Sequence, residues 1–314
     1  MTKEEALVKR VQQHVATALA EARCELEDSK SGHIWIGFSG GLDSTVLVHC
    51  LASLGSTRAI HVNHGLSKNS KAWEDHCQNI CLSLDVPIVI ERVTISEVGN
   101  LEANARGARY EAFAKHVGDH DVLATAHHTD DVLETILLKL FQGRALDGLS
   151  KHNLINEMRV VRPLLDLKRS ELEAYAQANQ LSWIEDESNA DVRFDRNFLR
   201  AEILPSLLAR WPDLDKRIGR VVGTAVGQRA ALEHEVSKYV GEGLFVRDLP
   251  EHEDAAVSLL RAYLELMQQF QVTDVALSEF LSQVRAGQNA KVLWRGGGLQ
   301  LKGEKICVLN RAGD

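Results

Sequence analysis

Residues 34–48 read Ile34-Trp35-Ile36-Gly37-Phe38-Ser39-Gly40-Gly41-Leu42-Asp43-Ser44-Thr45-Val46-Leu47-Val48. A short apolar strand delivers two glycines and two serines to a turn, and a helix opens directly after it. Glycine lets the backbone take positive φ and come close to a ligand. Consecutive N–H groups in such a turn, with the positive end of the helix dipole, form a site for phosphate oxygens. The hydroxyls of Ser39 and Ser44 add donors, and Asp43 can hold a magnesium ion bridging phosphates. The same residues also fit a plain Gly-Gly turn with Asp43 or Ser44 as helix N-cap. Two other nucleotide loops are excluded: no lysine follows the glycines, as Gly-x4-Gly-Lys-Ser/Thr requires, and the spacing is not Gly-x-Gly-x-x-Gly.

Outward from this turn, strands and helices alternate. Strands are expected at 33–38, 58–63, 87–92 and 121–126, and helices at 43–54, 71–84, 102–117 and 130–141. Such alternation builds a parallel sheet with helices on both faces and ligands outside the strand carboxyl ends. Each chemically loaded segment falls just after one of these strands. Before them, a helix over 4–27 sets Leu7, Val11, Val15, Ala18 and Ala22 on one face. Beyond them, 158–165 reads as extended, 168–179 as helical, and 197–210 as helical with Pro205 and Pro212 near its end. Long helices at 214–240, 252–270 and 274–286 follow. Short β runs at 290–295, 298–302 and 305–309, with turns at Gly296-Gly297-Gly298 and Gly303, close the chain. The expected organisation is an α/β domain over 1–215, then a smaller, mainly helical domain with a short terminal β element over 216–314.

Composition narrows the class. The 314 residues are 45% apolar and 25% charged, ordinary for a soluble globular protein. The acidic N-terminus does not read as a signal peptide. No apolar run approaches the roughly 18 residues that span a bilayer, so no membrane association is expected. Five cysteines (Cys24, Cys50, Cys77, Cys81, Cys307) form no Cys-x-x-Cys pair, which fits reduced thiols in the cytoplasm. The net charge of −8 argues against a nucleic-acid partner, but its distribution does not. Between Arg193 and Arg220 seven basic residues face four acids, whereas 242–256 holds five acids and Arg247 alone. A basic segment of this kind fits a phosphate-binding face or a solvated helix of mixed charge.

Three further segments carry chemistry. After the second strand, His61-Val62-Asn63-His64-Gly65 places His61 and Asn63 on one face, at the edge where an adenine would meet backbone groups; a zinc site would need further ligands, which the spacing does not supply. In 100–110, Arg106 and Arg109 share a helix face with Glu102. They suit either an ordinary ion pair or bidentate capture of phosphate or carboxylate. At the fourth strand end, His127-His128-Thr129-Asp130-Asp131-Val132-Leu133-Glu134 sets Asp131 and Glu134 three apart at a helix start, so both carboxylates can enter one cleft. Acids there also complement the helix dipole. Clustered carboxylates suit a cationic amine, and one can act as its base. Later, Arg196 and Arg200, four apart, can present one cationic face.

The loop resembles the pyrophosphate loop of the PP-loop, or N-type ATP pyrophosphatase, superfamily. Together with 61–65, 102–110, 126–135, Arg162-Pro163-Leu164-Leu165, Asp186-Glu187-Ser188-Asn189 and Arg196-Asn197 through Arg200, the chain resembles the tRNA(Ile)-lysidine synthetase family from about residue 34 to 210. The resemblance implies a two-step reaction on the wobble cytidine of an isoleucine tRNA with a CAU anticodon. ATP adenylates the oxygen on carbon 2 of the base, and the side-chain amine of free lysine then displaces AMP to give lysidine. It implies ATP contacts at Ser39, Gly40, Gly41, Leu42, Asp43, Ser44, His61, His64 and His127, with magnesium at Asp43. Asp131 and Glu134 would bind and deprotonate lysine, whose ammonium has an ordinary pKa of about 10.4. Arg106 and Arg196 would neutralise phosphate or hold the lysine carboxylate, and Arg109, Asp130, Arg193 and Arg200 would contact substrate or tRNA. The cytoplasm is the implied location, and a homodimer is compatible with the sequence.

The chain also departs from the pattern. Ser67 stands where many members have arginine, Val132 replaces a frequent glutamine, and Gln142-Gly143-Arg144 replaces a frequent Arg-Gly. Longer members continue into a domain that grips the tRNA acceptor end, expected to be absent from these residues. Two rivals follow: a related tRNA sulfurtransferase, which needs catalytic cysteines near the nucleotide, and a tRNA-binding relative without activity. Cys77 and Cys81, at a four-residue helical step, read instead as buried packing.

Overall fold

A computed structural model of the chain describes residues 2–24, 32–65, 67–95, 101–143, 152–186, 191–267, 272–294 and 297–310. It divides into two compact units, Met1–Gly219 and Arg220–Asp314. The first contains α1 (Lys3–Cys24), β1 (Ile34–Gly37), α2 (Leu42–Leu51), β2 (Thr57–Asn63), α3 (Ser70–Ser83), β3 (Ile88–Arg92), α4 (Leu101–Ala114), β4 (Val122–Ala124) and α5 (Thr129–Phe141). It continues with β5 (His152–Ile155), β6 (Met158–Val161), α6 (Arg169–Ala178), α7 (Asp195–Phe198) and α8 (Leu204–Arg210). The division falls inside α9 (Leu214–Ser237).

The six strands lie in the order β3-β2-β1-β4-β6-β5. The first five are mutually parallel, with Ile34 registered against Thr57 on one side and Val122 on the other. Alternation along each strand makes two cores. Ile34, Ile36, Ala59, Val122, Ala124 and Val161 face α1, α2, α3 and α6, where they meet Val11, Val15, Val46, Leu47, Cys77, Leu172 and Tyr175. Trp35, Ile60, Leu123, Met158 and Val160 face Tyr110, Phe113 and Val117 on the opposite side. The chain leaves β1 toward β2 on one side and returns to β4 on the other. The loops after β1 and β4 therefore flank the crevice of a doubly wound sheet.

Two differences from the sequence reading have local causes. His152–Ile155 adds an antiparallel edge strand, turned onto β6 through Asn156 and Glu157 at φ 49° and 65°. These angles belong to the hairpin turn whose twist matches the strands. The helix expected over 197–210 begins at Asp195 and widens to a π turn over Leu199–Ile203 before Pro205. Proline lacks the N–H that would bond the fourth carbonyl before it, and its ring crowds that carbonyl.

The second unit holds α10 (Tyr239–Glu242), β7 (Leu244–Phe245), α11 (Glu253–Leu266), α12 (Asp274–Arg285), β8 (Lys291–Trp294), β9 (Gly297–Lys302) and β10 (Lys305–Asn310). Leu277, Phe280, Leu281 and Val284 recur at helical spacing on α12. They pack with Leu260, Tyr263 and Leu264 of α11 over Leu299 and Ile306 of the antiparallel sheet β7-β10-β9-β8. Gly297 and Gly298, expected in a turn, lie within β9. A Cβ on Gly298 would stand 2.5 Å from Leu293 Cδ2 and 2.8 Å from the Val292 carbonyl, so the close strand approach requires glycine there.

Candidate active site

The Ser39–Ser44 turn joins β1 to α2. Gly40 has φ +85°, and a Cβ there would lie 2.9 Å from Cys77 Sγ and 3.2 Å from Ile184 Cδ1. Conformation and space both demand glycine. Its carbonyl accepts the Ile184 N–H at 2.9 Å, tying the turn to the segment after α6. The Ser39 and Ser44 hydroxyls stand 3.0 Å apart. Ser39 Oγ accepts the Gly41 N–H at 3.3 Å, and Ser44 Oγ donates to the Gly41 carbonyl at 3.0 Å. The helix N-cap is Gly41 rather than Asp43 or Ser44, and no side chain caps it. The first-turn N–H groups of α2 therefore lack the side-chain acceptor that a helix start commonly has.

The start of α5 is built differently. His128 Nδ1 accepts the Asp130 N–H at 3.2 Å, and Asp131 Oδ2 accepts the His128 N–H at 3.0 Å. This reciprocal cap fixes the tautomer: with Nδ1 accepting, the neutral ring carries its proton on Nε2. That nitrogen is buried, 3.5 Å from Asp43 Oδ2 and 3.4 Å from Asp131 Oδ2. Burial opposes a charge on the ring, but Asp43 and Asp131 outweigh it and raise its proton affinity.

Two arginines close on the acids from the other side. Arg196 donates through Nε to Glu134 Oε2 at 2.7 Å and through Nη2 to Asp131 Oδ1 at 2.8 Å. Arg200 donates through Nε to Glu134 Oε1 at 2.6 Å, and through Nη2 to Glu134 Oε2 at 3.0 Å and Asp131 Oδ1 at 3.2 Å. The Glu134 side chain is 0% exposed and that of Asp131 13%. Arg169, opening α6, brings Nη1 to 3.5 Å from Asp43 Oδ2. One chain of contacts thus joins Arg169, Asp43, His128, Asp131, Arg196, Arg200 and Glu134. For Asp131, burial pushes the carboxyl up, yet His128 and Arg196 outweigh it and hold it below the ordinary value. Asp130 goes the other way, raised by burial and by the charges of Asp131 and Glu134.

The remaining expected residues spread around this centre. His61 is buried; its ring nitrogen Nδ1 donates to the Phe38 carbonyl at 2.9 Å and lies 3.3 Å from Cys77 Sγ, so it braces the strand entering the loop. Burial lowers its pKa and keeps it neutral. Burial, with Arg109 nearby, takes His64 down to about 4. His127 also falls to about 4 through burial, with Arg162, Arg106 and Arg196 adding to it against Asp131; its Nδ1 is 3.0 Å from Thr125 Oγ1. Arg106 and Arg109 lie on α4, where Arg106 is exposed and sits 5.0 Å over the Tyr110 ring. Buried Arg162 lies close to Arg106 and Tyr110. Arg193 is 86% exposed and forks onto Asp191 at 2.6 Å. The Glu102 side chain, Glu187-Ser188-Asn189 and Arg144 fall outside the described residues.

A model of the PP-loop domain matches residues 7–207. The chain belongs to the PP-loop domain family. It is 50% identical over 194 residues to a tRNA(Ile)-lysidine synthase of Histophilus somni (strain 129Pt), covering 59% of this chain and 45% of that protein. Another, from Haemophilus influenzae (strain PittGG), is 42% identical over 236 residues, covering 71% and 55%. A third, from Pseudomonas aeruginosa, is 47% identical over 192 residues, covering 58% and 43%. The chain spans about half the length of these curated relatives. Among solved structures, it resembles the U34-tRNA thiolase NcsA from Methanococcus maripaludis with its 4Fe-4S cluster. The TM-score is 0.56 at 19% identity, covering 70% of this chain and 80% of that one, a likeness of fold.

Within this PP-loop domain, Cys77 and Cys81 are not set up as the reactive thiolates that a sulfurtransferase needs. Cys77 and Cys81 are fully buried on α3, and burial pushes both thiols up to about 12. The sequence reading leaves out His128 and Arg169. The doubled histidine is the signal for the first: on an extended segment neighbouring rings point to opposite sides, and one of them reaches Asp43. For Arg169 the signal is a cation in the first turn of a helix, against the dipole.

Proposed function

We propose that this chain carries the catalytic part of a tRNA(Ile)-lysidine synthase, taking ATP, free lysine and an isoleucine tRNA with a CAU anticodon. The observation that carries the reading is the continuous link from the uncapped phosphate loop, through Asp43 and His128, to two acids interlaced with two arginines. The similarity to curated lysidine synthases supports it.

In this reading the first-turn N–H groups of α2 and the hydroxyls of Ser39 and Ser44 seat the pyrophosphate end of ATP. Asp43 Oδ1 is buried without a hydrogen-bond partner, and such an oxygen suits magnesium, which takes few carboxylates and completes its shell with phosphates and water. Among the described residues no group of three or more His, Cys, Asp or Glu is arranged for a metal, so Asp43 would be its protein ligand. Bound there, the ion would neutralise phosphate charge. The cytidine O2 attacks the α-phosphorus, the bond to the bridging oxygen breaks, and pyrophosphate leaves. The lysine amine then attacks carbon 2, the C2–O bond breaks, AMP leaves, and one proton is lost from the nitrogen.

The acid–arginine cluster fits lysine because the amino acid carries both signs. Its carboxylate can take a guanidinium from Arg196 or Arg200, and its side-chain ammonium a carboxylate from Asp131; the site gains one positive charge until that ammonium gives up its proton. Arg106, Arg109 and Arg193 would contact tRNA phosphates. Among the described residues no helix is long and apolar enough to cross a membrane; a cytoplasmic setting is part of the proposal.

The test is incorporation of labelled lysine into an isoleucine-tRNA(CAU) transcript with ATP and magnesium, with methionine tRNA as control. Selective incorporation with one AMP released per lysine is expected. Binding of ATP and tRNA without incorporation would overturn the assigned reaction.

A further inference from the structure

The Nε2–H of His128 is one donor set between two carboxylates. It lies 3.5 Å from Asp43 Oδ2 and 3.4 Å from Asp131 Oδ2, and hydrogen-bonds to neither. Ordinary N–H···O bonds run about 2.7–3.2 Å, so neither carboxylate holds this proton in a full bond, and both are within a small movement of it. The other ring nitrogen is occupied by the Asp130 N–H, and the side chain is 1% exposed, so water does not substitute. Asp43 belongs to the phosphate loop, whereas the other oxygen of Asp131 receives Arg196 and Arg200.

We infer that His128 is a positioning residue that couples occupancy of the phosphate loop to lysine binding, resting on the function proposed above. If ATP brings its magnesium to Asp43, that carboxylate would turn to the cation and no longer compete for the donor. A movement of about 0.5 Å, from 3.4 Å to an ordinary bond near 2.9 Å, gives it to Asp131. Asp131 Oδ2 then accepts the ring N–H of His128 as well as its backbone N–H, Asp131 weakens its hold on the two guanidiniums, and these become available to the lysine carboxylate. ATP therefore prepares the lysine site before lysine arrives.

The experiment compares the parent chain with His128→Phe, which keeps a ring and loses the donor, and His128→Gln, which keeps an N–H. In the parent, an ATP analogue with a non-cleavable α–β bridge is expected to tighten lysine about tenfold, the scale of one hydrogen bond to a charged group. In the Phe variant, the KM for lysine is expected to rise by about the same factor and the ATP effect to vanish. Lysine transfer is expected to fall more than ATP–pyrophosphate exchange with tRNA present, and Gln restores most of the loss. Equal lysine affinity in the parent with and without the analogue overturns the coupling whatever the variants do. A uniform fall in both half-reactions, unrescued by Gln, assigns His128 to the fold alone and also overturns it. A parent that incorporates no lysine overturns the reaction itself, whereas an active parent without coupling overturns only this inference.

Discussion

Glu134→Gln separates the structural from the chemical part of the acid–arginine cluster. Glu134 is fully buried and accepts three hydrogen bonds from two guanidiniums, at 2.7, 2.6 and 3.0 Å. Breaking a buried pair by removing one partner costs about 3–5 kcal/mol, because the remaining charge stays buried. Glutamine keeps one acceptor oxygen, so the low end, about 3 kcal/mol, is expected. For a unit of this size that is roughly 6–12 °C in Tm. Trp35, Trp73, Trp183 and Trp211 all lie in the first unit, so their fluorescence in denaturant follows it. Adding Arg200→Met removes the surplus cation, and the double variant should cost at least about 1 kcal/mol less than the sum of the singles. Lysine transfer should be lost, while ATP binding survives because Glu134 touches no loop atom. A single variant within about 0.5 kcal/mol of the parent, with transfer intact, would refute the cluster's role.

Three further expectations follow from single positions. Gly40→Ala forces a side chain into φ +85° and toward Cys77 Sγ at 2.9 Å. A loss of about 1–2 kcal/mol with weakened nucleotide binding is expected, and unchanged nucleotide titrations would count against the loop. Buried Glu74, bonded by Arg92 at 2.8 and 2.7 Å and by Asn63 at 2.7 Å, is held down to about 2 against an ordinary 4.5. Its stabilisation is present above pH 4.5 and lost as pH falls toward 2; acid unfolding curves of the parent and Glu74→Gln should converge there. Cys77 and Cys81, raised to about 12, should resist alkylation at pH 8 until denaturant is added, with half-buried Cys307 reacting first. Rapid labelling of Cys77 in the native chain would reopen thiol chemistry.

The sheet was legible because each strand is short, apolar and followed by a turn that stops it, so Ile34–Phe38 and Val122–Ala124 stand out by local pattern alone. The edge strand His152–Ile155 was not. Its His-Asn-Leu-Ile is short and mixed, and only pairing with β6 makes it a strand, because strand preference depends on the cross-strand neighbours more than on the residues themselves. The π turn before Pro205 was hidden for a related reason: proline marks a break, but the local residues do not say whether the helix ends or widens there. In the site, Asp43, Asp131, Glu134, Arg196 and Arg200 were each legible as residues with chemistry. Their pairing was not, since Glu134 and Arg200 are 66 positions apart. His128 lay between two louder neighbours, and its value comes from a tautomer set by a backbone N–H.

Asp130 and Asp131 show how one turn of helix can divide the work of two adjacent carboxyls. The sequence favours Asp131 and Glu134 for both holding lysine and taking its proton. The surroundings of Asp131 favour the first task alone. Asp131 is held below its ordinary pKa despite burial, because His128 and Arg196 stabilise the anion, and Glu134 is forked by both arginines. A base must accept a proton, and a carboxylate held ionised by its neighbours, as Asp131 is, does so poorly. Asp130 is pushed the other way, first by burial and then by Asp131 and Glu134, against the opposing pull of His128 and the Arg169 N–H. Environments that drive neighbouring titratable groups apart are how one site assigns binding and proton transfer to different residues. On the proposed reaction, Asp131 and Glu134 then hold the charge pattern that lysine joins, and Asp130 is the carboxyl suited to accept its proton.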